Sequence, residues 1–218
     1  MPDPRTRLFL VTAPVASAAE ARPAIAAALA GGDVACLLLR LAPAAERDRK
    51  DAVKGLAAAV QDAGTALLLE DPRLVAHTGA DGVHAAGADE PFAAALDAMK
   101  PDRIVGVGTL ASRDDAMRAG EAGADYLMFG DAGFAADGPS VEEVADAAGW
   151  WAGIFNVPCV AFARALADVE MLALTGAEFV ALGDAVWDDP RGPGAAVAEA
   201  EAALARAEAL LAAEEAEA

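Results

Sequence analysis

The sequence predicts an α/β protein built as a single parallel (β/α)8 TIM barrel. Two observations carry this expectation. Short apolar runs alternate with Ala-rich stretches of helical spacing along the 218 residues, the pattern that βα units leave in a sequence. A second feature is a recurring unit, a Gly-Ala-acid turn or its close variant followed by a strand that stops at a polar residue or glycine. It reads Ala80-Asp-Gly-Val-His84, Gly123-Ala-Asp-Tyr-Leu-Met-Phe-Gly130 and Gly176-Ala-Glu-Phe-Val-Ala-Leu-Gly183. Strict alternation at this length fits a closed barrel better than an open doubly wound sheet. The first strand also ends in Thr12-Ala-Pro-Val, without the glycine-rich turn of a dinucleotide-binding sheet.

The elements follow in order. The apolar run Leu8–Thr12 predicts the first strand, and Ala18–Ala30 predicts a helix that stops at Gly31-Gly32. Val34–Arg40 is the second strand, Ala45–Ala63 the second helix and Ala66–Glu70 the third strand. Asp71-Pro72 is a helix start signal for Pro72–Thr78, and Gly79 is its stop. Gly82–His84 is a short strand, followed by helix Pro91–Met99 and strand Ile104–Gly108. Ser112 caps Arg113–Ala122, Gly123 ends it, and Tyr126–Gly130 is the sixth strand. Ser140 with Glu143 three residues on has capping-box spacing and opens Val141–Phe155. Strand Cys159–Ala163, helix Ala167–Thr175 and strand Phe179–Gly183 complete the series. Residues 1–218 read as one domain, ending in an acidic, Ala-rich helix over about 194–215.

Composition narrows the partners. Hydrophobic residues make up 56% of the chain and charged residues 23%, enough for a sizeable core and too apolar for wholesale disorder. With 16 Lys plus Arg against 35 Asp plus Glu, the formal charge is −19. Such a field repels nucleic acid and anionic membranes, and opposes a phosphorylated ligand unless local cations compensate. Cys36 and Cys159 lie in separate apolar runs with no metal-ligand spacing around them, as buried thiols in a reducing compartment do. Met-Pro-Asp-Pro-Arg-Thr-Arg at the start lacks the form of a signal peptide, and no run of 18 apolar residues occurs. A soluble cytoplasmic protein is expected. His77 reads as a helix-surface or packing residue, His84 as a pocket residue at a strand end, and Trp150, Trp151 and Trp187 as core or rim.

Several motifs together resemble those of the thiamine-phosphate synthase and thiazole tautomerase barrels, over residues 6–190. Leu69-Glu-Asp-Pro-Arg-Leu-Val-Ala76 with Gly79-Ala-Asp-Gly-Val-His84 is similar to that family's Asn-Asp and Ala-Asp-Gly-Val-His segments. Val105-Gly-Val-Gly-Thr109, then Gly123-Ala-Asp-Tyr126 and Phe129-Gly130, resembles its Ile-Gly-Val-Ser-Thr and Ala-Asp-Tyr-x-x-Phe-Gly. Pro158-Cys-Val-Ala161 and Gly176-Ala-Glu-Phe-Val-Ala181 match its seventh and eighth strands.

The resemblance implies a chemistry and a set of residues. Synthases of this family join a pyrimidine diphosphate to a thiazole phosphate and release pyrophosphate, with Mg²⁺ neutralising the diphosphate. By position the metal ligands are Asp71 and Asp89, and the substrate-binding positions are Arg40, His84, Thr109, Gly130, Arg164 and Asp184. Magnesium is the one cofactor implied. Two carboxylates suit an ion that keeps water and phosphate oxygens as its other ligands. The residues also admit a second reading, because Asp71 precedes Pro72 and Asp89 lies two residues before Pro91, so both could cap helices.

Departures from the family pattern shape the functional expectation. The family's Gln-x-Arg-x-Lys is Leu38-Leu-Arg40-Leu-Ala42, and its Asn-Asp is Glu70-Asp71. The Thr-rich loop ending in Lys after the sixth strand is replaced by Asp131-Ala-Gly-Phe-Ala-Ala-Asp137, with neither hydroxyl nor cation. The tautomerase branch places a catalytic His where this chain has Asp131, and the glycine pair after the seventh strand is Ala163-Arg164. Asp184 stands where the family has Ser, and an Arg164–Asp184 ion pair is expected across these loops. A misplaced carboxylate about 4 Å from a phosphate costs on the order of 4 kcal/mol per charge pair at an effective dielectric of about 20. The expectation is a divergent family member, thiamine-related by resemblance, whose catalytic residues are undefined and whose phosphate- and diphosphate-binding motifs are degraded, which puts its own synthase activity in doubt. The alternatives are a working synthase using Arg40, Asp71, Asp89 and Arg164, and a non-catalytic ligand-binding or interaction protein. A small-molecule ligand and a homodimer are compatible with the sequence; nucleic acid and membrane are not.

Overall fold

The computed structural model describes residues 5–131 and 138–217. Strands β1 (Arg7–Val11), β2 (Val34–Leu38), β3 (Ala66–Leu69), β4 (Gly82–Ala86), β5 (Ile104–Gly108), β6 (Tyr126–Phe129), β7 (Cys159–Ala163) and β8 (Phe179–Leu182) form one closed parallel barrel. Closure runs through β1, which pairs with β2 on one side and β8 on the other. Around it lie α1 (Ala18–Leu29), α2 (Glu46–Asp62), α3 (Pro72–Thr78), α4 (Glu90–Met99), α5 (Arg113–Ala122), α6 (Val141–Ala152), α7 (Val169–Ala173), α8 (Asp184–Trp187) and α9 (Pro193–Glu217).

Side chains alternate across each strand, and the alternation sorts the core into two layers. Leu8, Leu10, Leu127 and Phe129 face outward and pack under the helices. Phe9, Val11, Leu38, Leu68, Tyr126, Met128, Val160 and Ala181 fill the barrel interior. Burying a Leu or Phe side chain is worth about 1.5–3 kcal/mol, and both layers are almost wholly apolar, so each strand is stabilised on two faces.

The recurring acid before a strand has a structural explanation. Asp81 accepts from the amide of Leu67 at 2.7 Å, Asp125 from Val105 at 2.7 Å and Glu178 from Cys159 at 2.8 Å. Each carboxylate therefore satisfies an amide at the start of the neighbouring strand, at the barrel's amino-terminal end.

Some boundaries differ from the sequence expectation. β2 ends at Leu38, so Arg40 lies in the following turn, and β4 continues through His84 to Ala86. The single helix expected over 167–175 is a 3-10 turn, Leu166–Asp168, followed by α7. The short helix α8 was not expected; it follows β8 directly, after Gly183. Among the described residues no helix is long and apolar enough to cross a membrane.

Candidate functional site

The carboxyl ends of the strands form the mouth where barrels of this kind carry their chemistry. Thr109 directly follows β5, Gly130 follows β6 and Arg164 follows β7, while Arg40 and Asp71 each lie two residues beyond their strands. His84 departs from expectation. It sits inside β4, paired with Gly106, and is only 4% exposed, because the strand runs two residues past it. It therefore belongs to the barrel interior beneath the mouth.

A connected polar network lies there. His84 Nδ1 is 2.8 Å from the hydroxyl of Tyr126. His84 Nε2 stands 3.7 Å from Asp131 Oδ2, and both residues are almost completely buried. Asp131 in turn accepts from the Thr109 amide at 2.8 and 2.9 Å and from the Thr109 hydroxyl at 3.1 Å. Burial first, then the neighbouring Cys36, Asp131 and Asp125, pushes the Tyr126 phenol well above its ordinary value, so it stays neutral and can donate.

Sequence makes room for this network on β5. A Cβ on Gly106 would fall 2.0 Å from the Tyr126 ring, and one on Gly108 would fall 2.3 Å from Asp131 Oδ2 and 2.8 Å from His84 Nε2. Gly130 has a φ of 93°, a left-handed conformation open to glycine at little cost, and the turn brings Asp131 inward. Thr109 has a φ of 53°, uncommon for a β-branched residue, and its bonds to Asp131 hold it there.

A second cluster gathers at the ends of β2 and β3. Arg40 Nε reaches Glu70 at 3.4 Å. Asp71 caps α3 through the Arg73 amide at 3.0 Å, and also accepts from the Arg73 side chain at 3.1 and 3.2 Å and from Arg49 at 3.3 Å. Burial acts to raise the Asp71 carboxyl, but the Arg73 side-chain and backbone hydrogen bonds and the charges of Arg73 and Arg49 together hold it below the usual range. Asp89 is exposed at the N-cap of α4 and makes no side-chain cap bond.

Asp71 and Asp89, the positions that the resemblance gives to magnesium, differ in their surroundings. The Asp71 charge is already met by two guanidinium groups, and among the described residues no three His, Cys, Asp or Glu side chains are grouped to hold an ion. The capping reading thus holds for Asp71, whereas the Asp89 side chain caps nothing.

The expected Arg164–Asp184 ion pair is absent. Both residues are exposed, and among the described residues no ion pair joins them. The inward position at the end of β8 belongs to Gly183; Asp184 starts α8. The shift arises because strand parity places alternate residues on the barrel interior, and Ala181 already points inward.

Sequence reasoning missed Arg49 altogether. It lies on α2 in a charged run, Glu46-Arg-Asp-Arg-Lys50, where nothing distinguishes it from a solvated face. Asp131 carried a detectable signal: alternate glycines on β5 face a tyrosine and an acid on the next unit. His77 is exposed on α3, Trp151 is buried, and the Trp187 indole donates to Val11 O at 2.6 Å, in line with the surface, core and rim expectations.

Residues 8–186 match the family model described as thiamine monophosphate synthase. The chain is 41% identical over 197 residues to a thiamine-phosphate synthase of Rhodospirillum centenum, covering 88% of this chain and 95% of that one. It is 36% identical over 209 residues to a thiamine-phosphate synthase of Hyphomonas neptunium, covering 90% and 92%. Among solved structures, the thiamine phosphate pyrophosphorylase from Pyrococcus furiosus superimposes with a TM-score of 0.76 at 20% identity, over 94% of this chain and 98% of that one. A 3-hexulose-6-phosphate synthase superimposes at 0.66 and 20% identity, over 90% and 99%. At such identities the two structures speak for the fold alone.

Proposed function

We propose, for a chain that belongs to the thiamine monophosphate synthase family, a cytoplasmic barrel protein that binds a small heterocyclic ligand at its mouth. In this reading it couples a pyrimidine diphosphate to a thiazole phosphate poorly or not at all. One observation carries the reading: the Asp71 carboxylate, the family's metal position, is engaged by Arg49 and Arg73. A diphosphate would then lack part of the magnesium that normally offsets its charge. The loop sequence Asp131-Ala-Gly-Phe-Ala-Ala-Asp137 offers no compensating cation, in a chain of charge −19.

The test is a coupling assay with both family substrates and Mg²⁺, together with calorimetric titration of thiamine phosphate. No product above background, with measurable thiamine phosphate binding, is the expected pair of results. Turnover within a few tens of fold of an ordinary synthase would overturn the reading.

A second reading, a working synthase, is favoured by one feature. Arg40, Arg49 and Arg73 lie on or beside the ends of β2 and β3, and guanidinium forks suit phosphate oxygens. In that case Mg²⁺ would enter with the diphosphate, and the arginines would leave Glu70 and Asp71 to meet it. For assembly we propose a homodimer through exposed Met171 on α7, Leu174 at its C-cap, and Leu210 and Leu211 on the adjacent α9. A monomer in sedimentation equilibrium would remove that part.

A further inference from the structure

A cavity lies on the outer side of the barrel wall, where β1 turns into α1. Side chains alternate along β1, with Leu8 and Leu10 outward and Phe9 and Val11 inward, so Thr12 falls on the outward side. There the loop from Thr12 to Ser17, the start of α1 and Trp187 of α8 frame a volume of about 300 Å³. Its walls are tied down by the protein itself. Val15 N donates to Arg40 O and Ala42 N to Val15 O, each at 2.9 Å, which fastens the loop to the neighbouring turn. The Trp187 indole N–H is committed to Val11 O at 2.6 Å, so the ring is fixed and offers the cavity apolar surface.

The polar groups that line this cavity have bonding capacity to spare. Thr12 is 4% exposed, and its hydroxyl oxygen accepts from the Arg40 amide at 3.0 Å. Among the described residues its hydrogen has no acceptor. A hydroxyl carries one hydrogen to give, so a buried donor is left for an occupant. Ser17 and Glu20 stand at capping-box spacing, the spacing at which Ser140 and Glu143 close their box. At α1 no side-chain cap bond forms, and among the described residues no cation pairs with Glu20. The carboxylate thus stands at the cavity without a protein partner.

We propose that this cavity is a second binding site, for a small organic ammonium ion whose apolar body carries one hydrogen-bond acceptor. Glu20 meets the ammonium charge, and Trp187 supplies the kind of ring on which organic cations rest best. The Thr12 hydroxyl donates to the acceptor, and Val15 and Ile25 cover the apolar body. An anionic ligand is disfavoured by the Glu20 carboxylate and by the chain's charge of −19. The site stands apart from the mouth, because Thr12, Glu20 and Trp187 take no part in the clusters around Asp131 and Asp71.

The test uses three probes of nearly equal size. 4-Methoxyphenethylamine carries both groups, 4-ethylphenethylamine lacks the acceptor, and 4-propylanisole lacks the charge. The readout is the Trp187 indole N–H resonance in NMR, identified among the three tryptophans by its loss in Trp187→Phe. 4-Methoxyphenethylamine should shift this resonance at roughly tenfold lower concentration than either relative, the weight of one well-made polar contact. Glu20→Gln should erase the advantage over 4-propylanisole, and Thr12→Val the advantage over 4-ethylphenethylamine. Glu20 is exposed on α1, so Glu20→Gln keeps the fold. Should Thr12→Val fail to fold for want of its bond to the Arg40 amide, Thr12→Ser should fold and keep the advantage.

A Trp187 resonance that none of the probes moves would overturn the proposal. So would equal responses to 4-methoxyphenethylamine and 4-propylanisole, or an advantage that survives Glu20→Gln, since the charge would then attract the probe from the chain as a whole. Equal responses to the two amines would overturn the role of Thr12, and with it the stated class of ligand.

Discussion

Arg49 donates from α2 to the Asp71 carboxylate at 3.3 Å, and Arg73 holds the same group through its side chain and its amide. The residue that resemblance offers as a metal ligand is thereby a helix cap with its charge already met. Removing a guanidinium is expected to return it to metal chemistry. Mg²⁺ titrated calorimetrically should bind Arg73→Gln about tenfold more tightly than the parent, the factor that roughly 1.4 kcal/mol supplies. A parent that already binds Mg²⁺ tightly without any phosphate present would contradict this account.

The glycines of β5 should be irreplaceable. A methyl at Gly106 falls 2.0 Å from the Tyr126 ring, and one at Gly108 falls 2.3 Å from Asp131 and 2.8 Å from His84. Gly106→Ala is expected to lower stability by about 1–3 kcal/mol, the usual cost of overpacking a filled core, read as a lower urea midpoint. Gly108→Ala should also release Thr109, visible as lost protection of its amide in hydrogen exchange. Wild-type protection in Gly108→Ala would show that the network tolerates the methyl.

At the opposite end of the barrel, Asp81→Ala should affect stability alone. It strands the Leu67 amide, which now donates to Asp81 at 2.7 Å, and an unsatisfied buried donor costs about 1–3 kcal/mol. Ligand binding at the mouth should be unchanged, since barrels of this kind carry their chemistry at the carboxyl ends of the strands and Asp81 lies at the other end. A parallel loss of thiamine phosphate affinity would show that the ends are coupled.

Burial pushes the thiols of Cys36 and Cys159 up to about 12, against about 8.5 in an unfolded chain. The folded state then keeps protons that the unfolded state releases as pH rises. This contribution is fully present below about pH 8.5 and is lost as pH climbs toward about 12. The urea midpoint should be level near neutrality and fall steadily above about pH 9, and less so in Cys159→Ala. Native thiols should react slowly with a disulfide reagent at neutral pH, and rapid reaction of Cys159 would refute the assignment.

How far the sequence reaches can be argued from particular residues. The acids Asp81, Asp125 and Glu178 were visible as a repeat because each does the same local task, capping the start of a neighbouring strand. Glycine stops, Ser112 and the Ser140–Glu143 capping box were equally legible, since a cap involves residues only a few positions apart. Periodicity determined the two-layer core for the same reason: alternate residues of one strand must face opposite sides. Other features depended on contacts between distant segments. Arg49 reaches Asp71 across 22 residues, His84 meets Tyr126 across 42, and Thr109 meets Asp131 across 22. The inward position after β8 fell to Gly183 and not to Asp184, which a shift of one residue in register decides. The sequence by itself therefore determined the barrel, its helix caps and its family, because those follow from local spacing. Tertiary structure alone decided which charges at the mouth are met and which way Thr109 turns its hydroxyl, because these depend on the distances between groups that folding brings together.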